Sequence, residues 1–154
     1  MELDPFDLKI LAHLQSDSSV TLTELADAIC LSRNACWRRV QRLEAEGIIR
    51  KRVALLDRDR LGRSGTVFVS IRTNDHSEEW TTKFIRAVGR VPQVVEAYRM
   101  SGDVDYLLKV IVADIREFDR VYQALIHEIG LSDVNSSFAM ECLKETTAVP
   151  LVCA

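Results

Sequence analysis

Apolar residues recur along this chain with two different periods, and the change of period divides it. From Phe6 onward, Phe6, Ile10, Leu11 and Leu14 fall three or four apart, the spacing of one helix face. Asp4 stands where an N-cap belongs and Pro5 at the first helical position, while the polar run from Ser16 to Ser19 ends the pattern. Thr21 or Thr23 can cap a short second helix over 24–29 that buries Leu25, Ala28 and Ile29, and Cys30-Leu31 supplies a tight turn. Ser32 then caps a third helix over 33–46, closed by Gly47. At about 100° per residue, Cys36, Val40 and Leu43 form its buried stripe. Asn34, Arg38, Gln41 and Arg42 lie opposite, with Ala35 beside them and Arg33, Trp37 and Arg39 on the flanks. Trp37 reads as partly buried packing and Cys36 as a small hydrophobe. The stretch 48–56 reads as a β segment with a basic centre.

Beyond the loop Leu61-Gly62-Arg63-Ser64-Gly65 the order of elements changes. Residues 66–72 are β-branched and aromatic, a strand by composition. Ser77 or Asp75 caps a helix carrying Trp80, Phe84, Ala87 and Val88, and 94–100 forms a second strand. The connection Ser101-Gly102-Asp103-Val104-Asp105 leads into a third strand over 106–112. Asp114 with Glu117 makes a capping box for a helix with Ile115, Phe118, Val121, Tyr122, Leu125, Ile126 and Ile129 on one face, ended by Gly130. A fourth strand is expected over 135–144. The fold class is therefore α+β. A winged helix-turn-helix over residues 1–60 precedes a ferredoxin-like β-α-β-β-α-β domain over 61–154, one antiparallel sheet with two helices on one face. The uncovered sheet face still carries apolar residues, which predicts a dimer or a larger assembly. RNA-recognition modules share this order, but Tyr-Leu-Leu-Lys-Val-Ile-Val at 106–112 lacks their aromatic, glycine-containing signature.

Charge sharpens the picture of the first part. The 154-residue chain has a net charge of −3. Residues 1–31 nevertheless hold one cation and six acids, while residues 32–60 hold nine cations and four acids. An acidic protein with one arginine-dense segment suggests a local polyanion-binding face. An ion pair within the helix accounts for Arg42 and Glu46, but the nearby acids are too few for Arg38 and Arg39. A recognition helix in a major groove, followed by a wing along the phosphate backbone, uses these residues. Its DNA contacts would be Ser32, Arg33, Asn34, Arg38, Arg39, Gln41 and Arg42 on the helix and Arg50, Lys51 and Arg52 on the wing.

The remaining chemistry is mainly exclusion. No apolar run is long enough to span a bilayer and no signal peptide is recognisable, so a cytoplasmic location is expected and no membrane partner. Four cysteines, Cys30, Cys36, Cys142 and Cys153, form no C-x-x-C pair, which argues against a disulfide framework or a zinc module. His13, His76 and His127 are scattered, and there is neither a phosphate-binding glycine loop nor a metalloprotease helix. Asp103-x-Asp105 alone is a poor cation site. No enzyme, no cofactor and no metal are expected.

Several stretches together carry a family resemblance. These are Leu31-Ser32, Cys36-Trp37-Arg38-Arg39-Val40, Arg42-Leu43-Glu44, Gly47-Ile48-Ile49, Ala54-Leu55-Leu56-Asp57 and residues 101–109. They resemble the Lrp/AsnC family of transcription regulators (feast/famine regulatory proteins) along essentially the whole chain. One departure is Arg33-Asn34-Ala35, where many relatives have a proline-containing turn. The resemblance implies dimers built through the C-terminal sheets and assembled into higher even-numbered oligomers such as octamers. It also implies a small effector, usually an amino acid, held between C-terminal domains at Met100, Gly102, Asp103, Asp105, Tyr106, Ser136 and Ser137. Asp103 and Asp105 can hold an α-ammonium, while turn amides or Ser136 and Ser137 receive the carboxylate. Residues 75–80 and 132–141 look like a subgroup that includes regulators responding to L-cysteine. An amino-acid sensor that acts through another protein is the alternative to a DNA-binding regulator, and the outward face of the third helix speaks against it.

Overall fold

Local capping chemistry sets the ends of the first three helices. In the computed structural model, which describes residues 2–129 and 133–151, α1 spans Pro5–Ser16, α2 Leu22–Ala28 and α3 Arg33–Ala45. Asp4 and Asp7 form a reciprocal capping box on α1, as Thr21 and Glu24 do on α2, and the Ser32 hydroxyl accepts from Ala35 N–H at the start of α3. The turn between α2 and α3 puts Cys30 in the left-handed region (φ 58°), where its N–H donates to Asp27 O and that of Leu31 to Ala26 O. After α3, Gly47 (φ 72°) supplies the same conformation and lets Ile49 N–H reach Leu43 O. Ile10, Leu25, Ala26, Ile29, Cys36, Val40 and Leu43 form the core of these helices. Ala26 is buried there where Ala28 was expected, and Ala28 faces outward.

The expected wing strand does not form. Residues 50–56 are exposed and form no regular element, and among the described residues no strand pairs with them. A β segment without a neighbour leaves its backbone groups to water, so its β-propensity has nothing to act on.

The chain separates into two units, residues 1–55 with 144–154 and residues 56–143, a division that differs from one at residue 60. Within the first, the tail returns to α1. The Gln15 amide accepts from Val149 N–H at 3.0 Å and donates to its carbonyl at 3.1 Å. Val149 and Leu151 line an apolar groove of about 640 Å³ with Leu11, Leu14, Ile49 and Val53.

The second unit is a four-stranded antiparallel sheet in the order β2-β3-β1-β4, with β1 at Gly65–Arg72, β2 at Val94–Arg99, β3 at Tyr106–Val112 and β4 at Asp133–Phe138. Helices α4 (Glu78–Arg90, capped by Ser77) and α5 (Ile115–Ile129) cover one face. Val67, Val69, Ile71, Leu108, Val110 and Val112 meet Phe84, Ala87, Phe118, Val121 and Leu125 there. Ile115, expected on the apolar face of α5, is exposed instead. Gly65 is required where β1 starts, because a Cβ there would stand 2.8 Å from Val112 O. The last strand is shorter than the expected 135–144 because β1 begins at Gly65. Phe138 pairs with Val67, and one further bond, Ala139 N–H to Thr66 O, exhausts the partner. The expected helix stop at Gly130 lies outside the described residues, as do the Ile129 side chain and Cys153.

Glu117 ties three segments of this unit together. Its carboxylate accepts from Ala113 N–H (2.7 Å), Gln93 Nε2 (3.1 Å) and the Arg63 guanidinium, while its own N–H donates to Asp114. The capping box is thus displaced by one residue, reaching back to Ala113. The Ala113 amide, then Gln93 and Arg63, pull the Glu117 carboxyl down to about 2 from an ordinary value of 4.5. A folded-state value below the unfolded one contributes stability that is complete above pH 4.5 and drains as pH falls toward 2. Glu117→Gln should therefore lower stability by about 2 kcal/mol at pH 7 and lose that deficit in acid, which urea titrations followed by circular dichroism at several pH values will show.

Candidate functional site

The arginines of α3 divide into those that hold the unit together and those that face outward. Asp7 is fully buried at the contact of α1 with α3 and accepts from Arg39 Nη1 at 2.8 Å and Arg42 Nη2 at 2.5 Å. Arg39 also pairs with Asp4 at 2.6 Å and lies over the Phe6 ring, 5.4 Å from its centroid. The Asp7 backbone amide, followed by the Arg39 guanidinium, holds the Asp4 carboxyl below its usual range. Arg42 therefore meets Asp7 and not Glu46, and Arg39 has two acids from the acidic first stretch of the chain. Arg52 pairs with Glu44 at 3.0 Å, and Glu44 also accepts from Gln41 Nε2 at 3.1 Å.

What remains on the outward side of α3 is Ser32, Arg33, Asn34, Arg38 and Gln41, all exposed. Among the described residues, Arg33 and Arg38, with Arg50 and Lys51 of the segment that follows, have no ion-pair partner. Trp37 departs from the packing expected of it. It is 52% exposed and absent from the core of the three helices. Burial holds the buried Cys36 thiol up, in keeping with an inert core residue.

The expected effector residues are only partly brought together. Met100, Gly102, Asp103 and Asp105 gather at the β2–β3 turn, where Gly102 takes φ 115°. Two side chains fasten this turn to the end of β1. Asp105 Oδ2 accepts from Thr73 N–H at 2.8 Å, and Arg72 Nε donates to Asp103 O at 2.6 Å. Arg72 also reaches Asp133 of β4 at 3.5 Å. The Asp103 carboxylate has no partner among the described residues, whereas that of Asp105 already serves the backbone. Tyr106 turns away from this group into the core, with its ring 4.4 Å from that of Phe84. Ser136 and Ser137 lie on the far edge strand and point to opposite faces. Ser136 pairs with Val69 on the helix-covered face and its hydroxyl has no partner among the described residues, while Ser137 pairs with Phe68 on the open face. The open face carries Phe68, Tyr98, Leu107 and Ile111 around the Lys109–Glu96 ion pair at 3.0 Å.

Among the described residues no group of three His, Cys, Asp or Glu side chains is placed to hold a metal ion, and no helix is long and apolar enough to cross a membrane.

A three-helix unit with unpaired cations on one face, joined to a separate sheet unit, fits a transcription regulator with one DNA-binding and one ligand-binding part. Residues 3–50 match the model of a winged helix-turn-helix DNA-binding domain, and residues 66–149 match that of the Lrp/AsnC ligand binding domain. The chain belongs to the Lrp/AsnC family of transcriptional regulators. It is 49% identical over 150 residues to the glutamate uptake regulatory protein of Zymomonas mobilis, covering 97% of this chain and 92% of that one. It is 46% identical to the DNA-binding transcriptional activator DecR of Escherichia coli, covering 97% and 99%. An AsnC family transcriptional regulator from Agrobacterium tumefaciens superposes with a TM-score of 0.93 at 51% identity, covering 96% and 97%. A transcriptional regulator from Neisseria meningitidis, solved in complex with L-methionine, superposes at 0.91 with 32% identity, covering 96% of each chain. These relatives are regulators and not enzymes, and so is this protein.

Removing the buried Asp7 carboxylate leaves Arg42 without its acid and Arg39 with Asp4 alone. Asp7→Ala should destabilise the first unit by about 1–3 kcal/mol, with amide exchange accelerated across α1 and α3 and unchanged in the sheet.

Proposed function

We propose that α3 enters the major groove with Ser32, Arg33, Asn34, Arg38 and Gln41 toward the bases and adjacent phosphates, while Arg50 and Lys51 follow the backbone. Arg39, Arg42 and Arg52, expected as DNA contacts from the charge pattern, act in this reading as internal braces. The observation that carries it is the contrast on α3 between arginines satisfied by carboxylates and arginines left without any. The regulator works in the cytoplasm, where its double-stranded DNA is.

The effector in this reading is an amino acid bound at the β2–β3 turn, with the Asp103 carboxylate holding its ammonium and turn amides its carboxylate. Met100, 43% exposed, is available to its side chain. Ser137 and the open sheet face belong to a homodimer contact, and the dimers assemble into a higher even-numbered oligomer such as an octamer, in which a neighbouring copy closes the effector site. The complex of the Neisseria meningitidis relative with L-methionine supports an amino acid as the ligand class. L-cysteine is one candidate among several. A ligand that prefers one arrangement of the dimers shifts DNA affinity by its differential affinity for the two arrangements.

The test is fluorescence anisotropy of a labelled duplex from upstream of the protein's own gene, titrated in the presence of single amino acids, cysteine and methionine included. One amino acid should shift the midpoint, and Asp103→Asn should remove that shift while leaving DNA affinity unchanged. An affinity that no amino acid moves defeats the effector reading. Arg38→Ala should weaken binding about tenfold and reduce the salt slope by about 1 with the oligomeric state unchanged. An unaltered slope and affinity would remove Arg38 from the interface.

A further inference from the structure

The exposed face of α3 carries one large apolar group among polar ones. Cys36, Val40 and Leu43 of this helix are buried, yet Trp37, beside them in sequence, is 52% exposed. Among the described residues its ring contacts no other aromatic ring and its indole N–H has no hydrogen-bond acceptor. At about 100° per residue, Trp37 stands about 40° from Gln41 and about 60° from Asn34 around the helix axis. It therefore shares the arc of the side chains that face outward. Arg33 lies one turn before it and Arg38 next to it, both cations without an ion-pair partner among the described residues.

The base edges of a major groove offer hydrogen-bond donors and acceptors and a single apolar feature, the C5-methyl group of thymine. Asn34, Gln41 and Arg38 match the polar edges. Their polar ends gain nothing from the methyl, whereas an indole ring offers it a broad apolar surface. Unpaired cations on the same surface favour duplex DNA as the occupant over a second copy of this acidic chain. We propose that Trp37 is a specificity-determining residue that packs its ring against a thymine methyl in the operator, giving the protein a preference that polar contacts alone do not supply. The proposal rests on the reading that α3 is the groove helix.

The experiment uses a duplex selected in vitro from a random pool by the full-length protein. Each thymine is replaced in turn by deoxyuridine, which deletes only the methyl. The wild type should lose about fivefold or more in affinity at one or two positions. Trp37→Ala should be weakened on the selected duplex, unchanged on random duplex, and indifferent to uridine at those same positions. Equal responses of the two proteins to uridine at every position overturn the proposal. So does a loss on Trp37→Ala that is the same for every duplex, since that would mark a structural or phosphate role. A second readout does not depend on that variant folding. The chain has two tryptophans, so Trp80→Phe leaves Trp37 as the sole indole emitter. Its emission should be quenched when the selected duplex saturates the protein, and emission that does not move overturns the proposal. Failure to enrich any duplex would instead bring down the groove reading, and the proposal with it.

Discussion

The first unit depends on one carboxylate that has left water. Asp7 is fully buried, and burying a charge is tolerable only when opposite charge and hydrogen bonds meet it on every side. Here two guanidinium groups from α3 and the Asp4 N–H from the helix cap meet it. The rotation that buries Cys36, Val40 and Leu43 of α3 also lets Arg39 and Arg42 reach this acid on α1. Arg39 and Arg42 are drawn to the α1 side, and Asn34, Trp37, Arg38 and Gln41 stay exposed. Which arginines of α3 stay unpaired thus depends in part on a buried acid of α1.

The second unit uses a carboxylate differently. Glu117 gathers the loop before β1, the start of β2 and the start of α5 through Arg63, Gln93 and Ala113. At the other end of the sheet, Asp105 and Arg72 hold the β2–β3 turn against the end of β1. The turn is thus a fixed part of the sheet frame, with the Asp103 carboxylate left over.

Much of this was legible in the chain because it rests on local chemistry. Asp4, Thr21, Ser32 and Ser77 cap the helices where short-range hydrogen bonding says they should, and β3 begins and ends where its composition does. Errors arose where the deciding partner is remote in sequence. Counting acids near Arg39 could not find Asp7, which lies 32 positions earlier. β-propensity in the stretch after α3 met no partner strand, and the reach of β4 was limited by the first residue of β1. Helical periodicity placed Trp37 on a flank but could not say whether anything covers that flank. The two serines of β4 looked like a pair along the chain, yet the pleat sends neighbours to opposite faces. Alternation alone could have separated them.

The return of the tail to Gln15 has a consequence for how the protein is made. Residues 2–55 leave the ribosome first, but the groove between α1 and the segment after α3 stays without Val149 and Leu151 until all of residues 56–143 have been synthesised. The sheet unit is contiguous in sequence and takes no residue from that tail. The part that binds DNA is therefore begun by one piece of sequence and closed by another, with the whole of the ligand-binding unit synthesised between them.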